Sequence, residues 1–188
     1  MKLHLTAPLP PSVNHYLGTR VVNRNGKPMS MVYETGKAKK YKRLFKKYIE
    51  EQVEIQNWIS SMDKTQHYYC DCVFYFDRID KDPNNYFKCS LDAITETQLV
   101  WADDNTVCER VNRICYDSNN PRIEIDIYPV EYIGIFNSCE ELNMFEEKCK
   151  TCTRYYRNCS LLRKAKEGRI QDEIKDLYCE KYKEKKEN

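Results

Sequence analysis

Asp82-Pro83-Asn84-Asn85-Tyr86-Phe87-Lys88, Leu91-Asp92-Ala93-Ile94-Thr95 and Trp101-Ala102-Asp103-Asp104 follow one another closely. Together they gather carboxylates, carboxamides and one amine. Oxygen donors around an amine suit divalent-cation-dependent attack on a phosphodiester. The oxygens fill part of a hard cation's shell, and water and phosphate complete it. A lysine then offsets negative charge that builds on the phosphoryl oxygens. On this reading Asp82, Asn84 and Asp104 are candidate magnesium ligands, with Asp80 and Asp103 as further candidates, and Lys88 is the amine. Asn84 is the residue such chemistry would not choose, because a carboxamide offers an oxygen without a charge. The same residue types also serve as a solvated acidic loop that caps a helix, and spacing alone leaves both readings open.

The elements that must position these groups can be read from periodicity. Residues 2–9 read as a strand ending at Pro8, Pro10 and Pro11. Val21-Val22, Asn25-Gly26 and Met29 to Tyr33 predict a hairpin, since Asn-Gly favours a two-residue turn. A helix is expected from near Thr35 to about Val53, with Tyr41, Leu44, Phe45, Tyr48 and Ile49 on its apolar face. Tyr68 to Phe76 alternates as a strand. Asn84 or Asn85 is expected to cap a helix running to about Thr95, with Phe87, Leu91 and Ile94 buried. Asn85, Lys88 and Asp92 then share another face. Strands follow from about Val107 to Tyr116 and from Arg122 to Tyr128. If the Val107 strand lies beside the Tyr68 strand, the acidic groups before and after the helix should approach the same sheet edge. These elements predict an α/β (α+β) domain, a mixed sheet with packed helices, over residues 1–130.

The motifs resemble those of the RusA-type Holliday junction resolvases over roughly residues 1–130. Pro8-Leu9-Pro10-Pro11-Ser12-Val13-Asn14 looks like that family's amino-terminal strand and turn. The family's Asp-x-Asp-Asn-x-x-Lys falls on residues 82–88, Asp-Ala-Leu on Asp92-Ala93-Ile94, and Trp-x-Asp-Asp on residues 101–104. The resemblance implies a homodimer that cuts four-way DNA junctions with magnesium, in recombination and repair. It makes Asp82, Lys88 and Asp104 catalytic and puts an essential aspartate at Asn84. Asp80 restores an Asp-x-Asp spelling in a shifted register. With Asn84, weaker metal binding and a tolerance for manganese are expected. A catalytically inactive junction-binding protein is the alternative.

Lys39, Lys42, Arg43, Lys46 and Lys47 crowd one face of the Thr35 helix. They form a solvated face or a phosphate-holding one, and within the resembled fold they are the candidate DNA contacts. The net charge of +2 gives no bulk nucleic-acid signature, so any footprint must be local. No apolar run is long enough to span a membrane, and the first residues are too short of apolar character for a secretory signal. A cytoplasmic protein is expected.

The ten cysteines then need explaining, because disulfides are rare in that compartment. Cys70, Cys72, Cys89, Cys108 and Cys115 are expected to act as small core hydrophobes. Cys139-x9-Cys149-x2-Cys152-x6-Cys159 offers four thiolates to a structural zinc, with an iron–sulfur cluster or unligated thiols as alternatives. Cys179 stands apart. Residues 131–188 are therefore expected to form a small helical, cysteine-rich tail. A long helix should run from about Ser160 to Lys183, with Lys181 to Asn188 frayed. The tail also allows a third reading, an interaction protein that docks a partner through this helix.

Overall fold

The computed structural model describes residues 1–63 and 65–185. It divides into two compact units, Met1–Lys64 with Tyr68–Pro129, and Thr65–His67 with Val130–Asn188. In the first, β1 (Leu3–Pro8) leads through the short α1 (Val13–Tyr16) into a ribbon of β2 (Leu17–Arg24) and β3 (Lys27–Glu34). Then come α2 (Gly36–Ile55), β4 (Tyr68–Phe76), α3 (Phe87–Thr97), β5 (Val107–Tyr116) and β6 (Arg122–Pro129). The expected mixed α+β architecture is present. Its four-stranded sheet has the order β1-β6-β4-β5, with β6 antiparallel to both neighbours and β4 parallel to β5.

Alternation decides which sheet face is dry. Leu3, Leu5 and Ala7 of β1, Ile123, Ile125 and Ile127 of β6, and Tyr68, Cys70, Cys72, Phe74 and Phe76 of β4 are all buried. The register sets Leu5 and Cys72 on either side of Ile125, so these rows form one apolar layer. Phe45 and Ile49 of α2 and Phe87, Leu91 and Ile94 of α3 belong to the same core. Thr35 caps α2, its hydroxyl accepting the Ala38 N–H at 3.3 Å. Leu44, expected on the apolar face, is exposed: the buried stripe is Ala38, Lys42, Phe45 and Ile49, and Leu44 falls to its side. The ribbon turns at Asn25 and Gly26, both at positive φ, as a two-residue hairpin requires.

The start of α3 also differs from expectation. Asp82 is the cap, its Oδ1 accepting the Asn84 N–H at 3.0 Å over a tight turn at Pro83–Asn85. Tyr86 links this turn to α3, which begins at Phe87 without a side-chain cap of its own.

In the second unit, α4 (Cys139–Lys150), α5 (Leu161–Lys166), β7 (Ile174–Lys175) and β8 (Tyr178–Cys179) surround Phe136, Leu142, Phe145 and Ala165. The long helix expected to Lys183 is not formed. Gly168 takes a left-handed φ of 76° and closes α5 at its first turns. The chain beyond it folds back as the β7–β8 ribbon. Residues 181–185 are also held: the Lys183 N–H meets the Cys152 sulfur, and the Lys185 N–H meets the Thr151 carbonyl at 2.9 Å. The rest of the segment expected to fray, residues 186–188, lies outside the described residues.

The polar face of the sheet has its own lock. Arg110 donates to both Asp71 carboxylate oxygens, at 2.6 and 2.9 Å, and the Tyr128 hydroxyl donates to one of them at 2.8 Å. Burial alone would raise the Asp71 pKa, but the bonds from Arg110, Tyr128 and Asn112 outweigh it and hold it below the ordinary value. A depressed folded-state pKa means stabilisation that is present above the unfolded-state pKa and lost as pH falls through the folded one. The stability advantage of the native chain over Asp71→Asn should therefore be full at neutral pH and shrink only below about pH 4. Urea midpoints taken from about pH 7 down to about pH 3 check this; a gap that never narrows contradicts it.

Candidate active site

Lys88 stands one residue into α3 and Asp92 one turn further along. Their Nζ and Oδ2 atoms are 3.5 Å apart, and the lysine side chain is 53% exposed while the aspartate is 21% exposed. The stripe Phe87, Leu91 and Ile94 faces the core, so Lys88 and Asp92 occupy the helix's other side. Asp92 is fixed from behind. The Tyr16 hydroxyl lies within hydrogen-bond reach of both Asp92 and Glu34. Burial, then these two carboxylates, push the Tyr16 hydroxyl well above its ordinary pKa, so it stays protonated and donates.

The return from α3 is set by tryptophans. Gln98 takes the left-handed conformation that ends the helix. Trp101 is fully buried, and its indole N–H donates to Thr95 Oγ1 at 2.7 Å. Trp58 donates to the Val100 carbonyl at 3.2 Å. The chain then makes a tight turn at Asp104–Thr106, which Asp103 caps through the Asn105 N–H. Burial pushes the Asp104 pKa up, followed by its contact with Asp103 and the charges of Asp103 and Asp92; Lys88 opposes them. Burial and the Asp104 charge raise Glu109 in turn. Asp104 thus interacts with Asp92, Asp103 and Glu109 and with a single ammonium, Lys88, an excess of negative charge. Among the described residues, no three carboxylate, thiol or imidazole groups already stand in a finished ion site.

Asp82 and Asn84 are exposed in the turn just ahead of α3. Asp80 is engaged elsewhere, by Arg78 at 2.8 Å. The expectation that the acidic groups flanking the helix meet at one sheet edge needs correction. The Val107 strand does lie beside the Tyr68 strand, but in parallel, with Tyr68 opposite Val107. The loop carrying Asp80 and Asp82 leaves one end of β4, whereas Asp103 and Asp104 enter β5 beside the other. The groups brought together are Lys88, Asp92, Asp103 and Asp104. Asp92, Tyr16 and Glu34 were not singled out from the sequence as site residues. The four-residue spacing of Lys88 and Asp92 is the signal that points to the first.

The basic helix face divides. Lys39, Arg43, Lys46 and Lys47 line an open cleft with Glu50 and Glu96. Lys42, expected among the DNA contacts, is only 4% exposed. It donates to Glu34 at 2.8 Å and to Glu96, so its charge is already neutralised inside the fold. Lys46 also reaches Glu96, at 2.9 Å. A second groove brings Lys37, Lys40, His15 and Arg78 beside Pro10 and Tyr86.

The cysteines of the second unit also regroup. Cys149, Cys152, Cys159 and Cys179 line one cavity, and Cys139 is not part of it. Cys139 opens α4 and is exposed. Ten residues of helix put it roughly 15 Å along the axis from Cys149, too far for both to reach one ion. The expected ligand set therefore loses Cys139, and Cys179 takes its place at the cavity. Of the expected core cysteines, Cys70, Cys72 and Cys89 are buried and Cys108 and Cys115 are half-buried; none of the ten is in a disulfide.

Two substitutions separate the roles on α2. Lys42→Met leaves the Glu34 and Glu96 carboxylates without their shared cation and should lower the thermal midpoint by several degrees. Lys47→Ala should leave it nearly unchanged. Thermal melts of both variants decide the matter; equal melting would contradict a buried structural role for Lys42.

The family model for endodeoxyribonuclease RusA matches residues 8–128, well over half the chain and nearly all of the first unit. No curated protein matches it.

Proposed function

Because the chain belongs to the RusA endodeoxyribonuclease family, we propose that it is a magnesium-dependent endonuclease that resolves four-way DNA junctions. The observation that carries the reading is the gathering of Asp92, Asp103 and Asp104 beside Lys88; burial first, then these neighbours, leave Asp104 harder to ionise than an ordinary carboxylate. Like charges held this close fit a site that takes up a hard divalent cation, since the donors are all oxygen. Asp104 and Asp103 would hold magnesium or manganese. The family motif also implies Asp82 and Asn84; their loop leaves the other end of β4 and would have to close toward Asp104 for them to join the same ion. A bound cation supplies charge neutralisation at the phosphate and lowers the pKa of water.

The chain's own groups supply the rest. Lys88 is half exposed and tethered by Asp92, so its ammonium would donate to a phosphoryl oxygen as charge develops there. Tyr16 and Glu34, locked by Lys42, would keep Asp92 from turning away. Lys39, Arg43, Lys46 and Lys47 would hold flanking phosphates without reading sequence. Paired incision follows if two copies of the chain form a two-fold dimer, placing one site on each of two opposed strands. We place the protein in the cytoplasm, where its thiols stay reduced.

Asn84 favours a second reading, a junction-binding protein that no longer cuts, because it removes one negative charge from the motif. Cleavage of a synthetic junction separates the two. The native chain should cut with magnesium or manganese. Asp104→Asn and Lys88→Ala should each lose about 100-fold or more in rate while still binding the junction. Asn84→Asp should lower the metal concentration needed for half-maximal cutting. Tight binding with no cutting in either metal would overturn the proposal, and cutting restored by Asn84→Asp would establish the second reading. For the basic face, Lys47→Glu should weaken junction affinity and flatten its salt dependence; unchanged affinity at moderate salt would remove α2 from the interface.

A further inference from the structure

The second unit contains a grouping of thiols that the nuclease reading does not use. We propose that Cys149, Cys152, Cys159 and Cys179 hold a structural zinc ion. The inference is independent of whether the first unit cuts DNA.

Four observations support it. First, the four residues line a single cavity of about 440 Å³. The thiols of Cys152, Cys159 and Cys179 all act electrostatically on Cys149, and those of Cys152 and Cys159 act on Cys179. Second, two of the sulfurs are already hydrogen-bond acceptors from the main chain. The Lys183 N–H points at the Cys152 sulfur at 3.5 Å, and the Lys181 N–H points at the Cys179 sulfur. Such N–H groups orient a ligand sulfur from outside its coordination shell. Third, the cavity wall is cationic. Lys148, Arg157, Arg163, Lys166 and Lys181 line it. Arg163, Lys166 and Lys181 are paired with Glu167, Glu146 and Glu173, which leaves Lys148 and Arg157 to offset the two net negative charges of zinc with four thiolates. Fourth, the unit has little else to hold it. Its fully packed interior is Phe136, Leu142, Phe145 and Ala165, and no disulfide is present. Units this small commonly need a metal or a crosslink.

The geometry explains how distant residues reach one place. Cys149 lies in the last turn of α4, and the Cys152 N–H donates back to the Cys149 carbonyl at 2.9 Å, closing a turn around the pair. Cys159 lies between α4 and α5. The β7–β8 ribbon then carries Cys179 to the cavity. The thiols stand around the cavity and do not yet converge on one point, so zinc binding would draw them inward. Sulfur donors select zinc over the hard cations that suit carboxylates, and four of them leave no open position for catalysis.

The test is elemental analysis of the full-length protein purified without chelator. One zinc per chain is expected. Cys179→Ser should lose most of it, and Cys139→Ser should keep it. Absence of zinc from the native chain, iron in its place, or zinc lost with Cys139→Ser but kept with Cys179→Ser would each overturn the proposal. Should Cys179→Ser fail to fold, alkylation of the native protein by iodoacetamide gives a second test. Cys149, Cys152, Cys159 and Cys179 should be protected until a zinc chelator is added, while Cys139 reacts in both conditions. Labelling of the four without chelator would refute the site.

Discussion

The parallel pairing of β4 with β5 is the constraint on which the first unit depends. Two parallel neighbours cannot be joined by a turn, because the chain must travel back the length of the strand before it re-enters the sheet. Here α3 makes that journey. It can do so only by burying Phe87, Leu91 and Ile94 against the sheet, and this puts Lys88 and Asp92 on its other side. Trp101 then anchors the return, so that Asp103 and Asp104 arrive at the start of β5 within electrostatic reach of Lys88. The acidic group is thus a by-product of a crossover. Its members are far apart in purpose along the chain: a helix face, a turn and a strand entrance.

A second device holds the surroundings of that group in place. Lys42 is buried between Glu34 and Glu96, and Tyr16 links Glu34 to Asp92. Isolated, any of these charges would be costly to bury; paired, they form a polar strut through the α1, α2 and α3 contact. The burial that raises Asp104 has no such compensation beyond Lys88. The difference between the two acidic groups is therefore one of partners. Glu34 and Glu96 are held below their ordinary pKa by lysines despite some burial, whereas Asp104 faces other carboxylates.

Much of this was legible in the residues, and the exceptions have physical causes. Alternation in Ile123, Ile125 and Ile127 and the stripe in α3 declared the core, because period and burial are local properties. Strand direction is not local: nothing in Val107 to Tyr116 states whether its neighbour runs with it or against it, and that choice moved the two acidic loops to different ends of β4. Lys42 read as one more basic residue because its partners lie 8 and 54 residues away. The tail helix was overextended because Lys and Glu favour helix everywhere, while Gly168 at left-handed φ overrides that average at one point. The same error hid Cys179, which only a folded-back chain can bring to Cys149.

The two donor sets also sort themselves by chemistry. The first unit gathers oxygens around one amine and leaves its charge partly exposed to solvent, which suits a cation that keeps water and exchanges phosphate. The second gathers sulfurs, two of them already accepting main-chain N–H groups, which suits an ion that exchanges nothing. In the proposed oxygen site an asparagine would weaken charge but keep an oxygen, and so would shift affinity along a continuous scale. Replacing a sulfur in the proposed zinc site would remove a ligand outright from a shell with no spare position. If both proposed sites hold their ions, substitution at Asn84 would be the kind of change that an oxygen site absorbs, and the corresponding change at Cys179 one that a thiolate site does not.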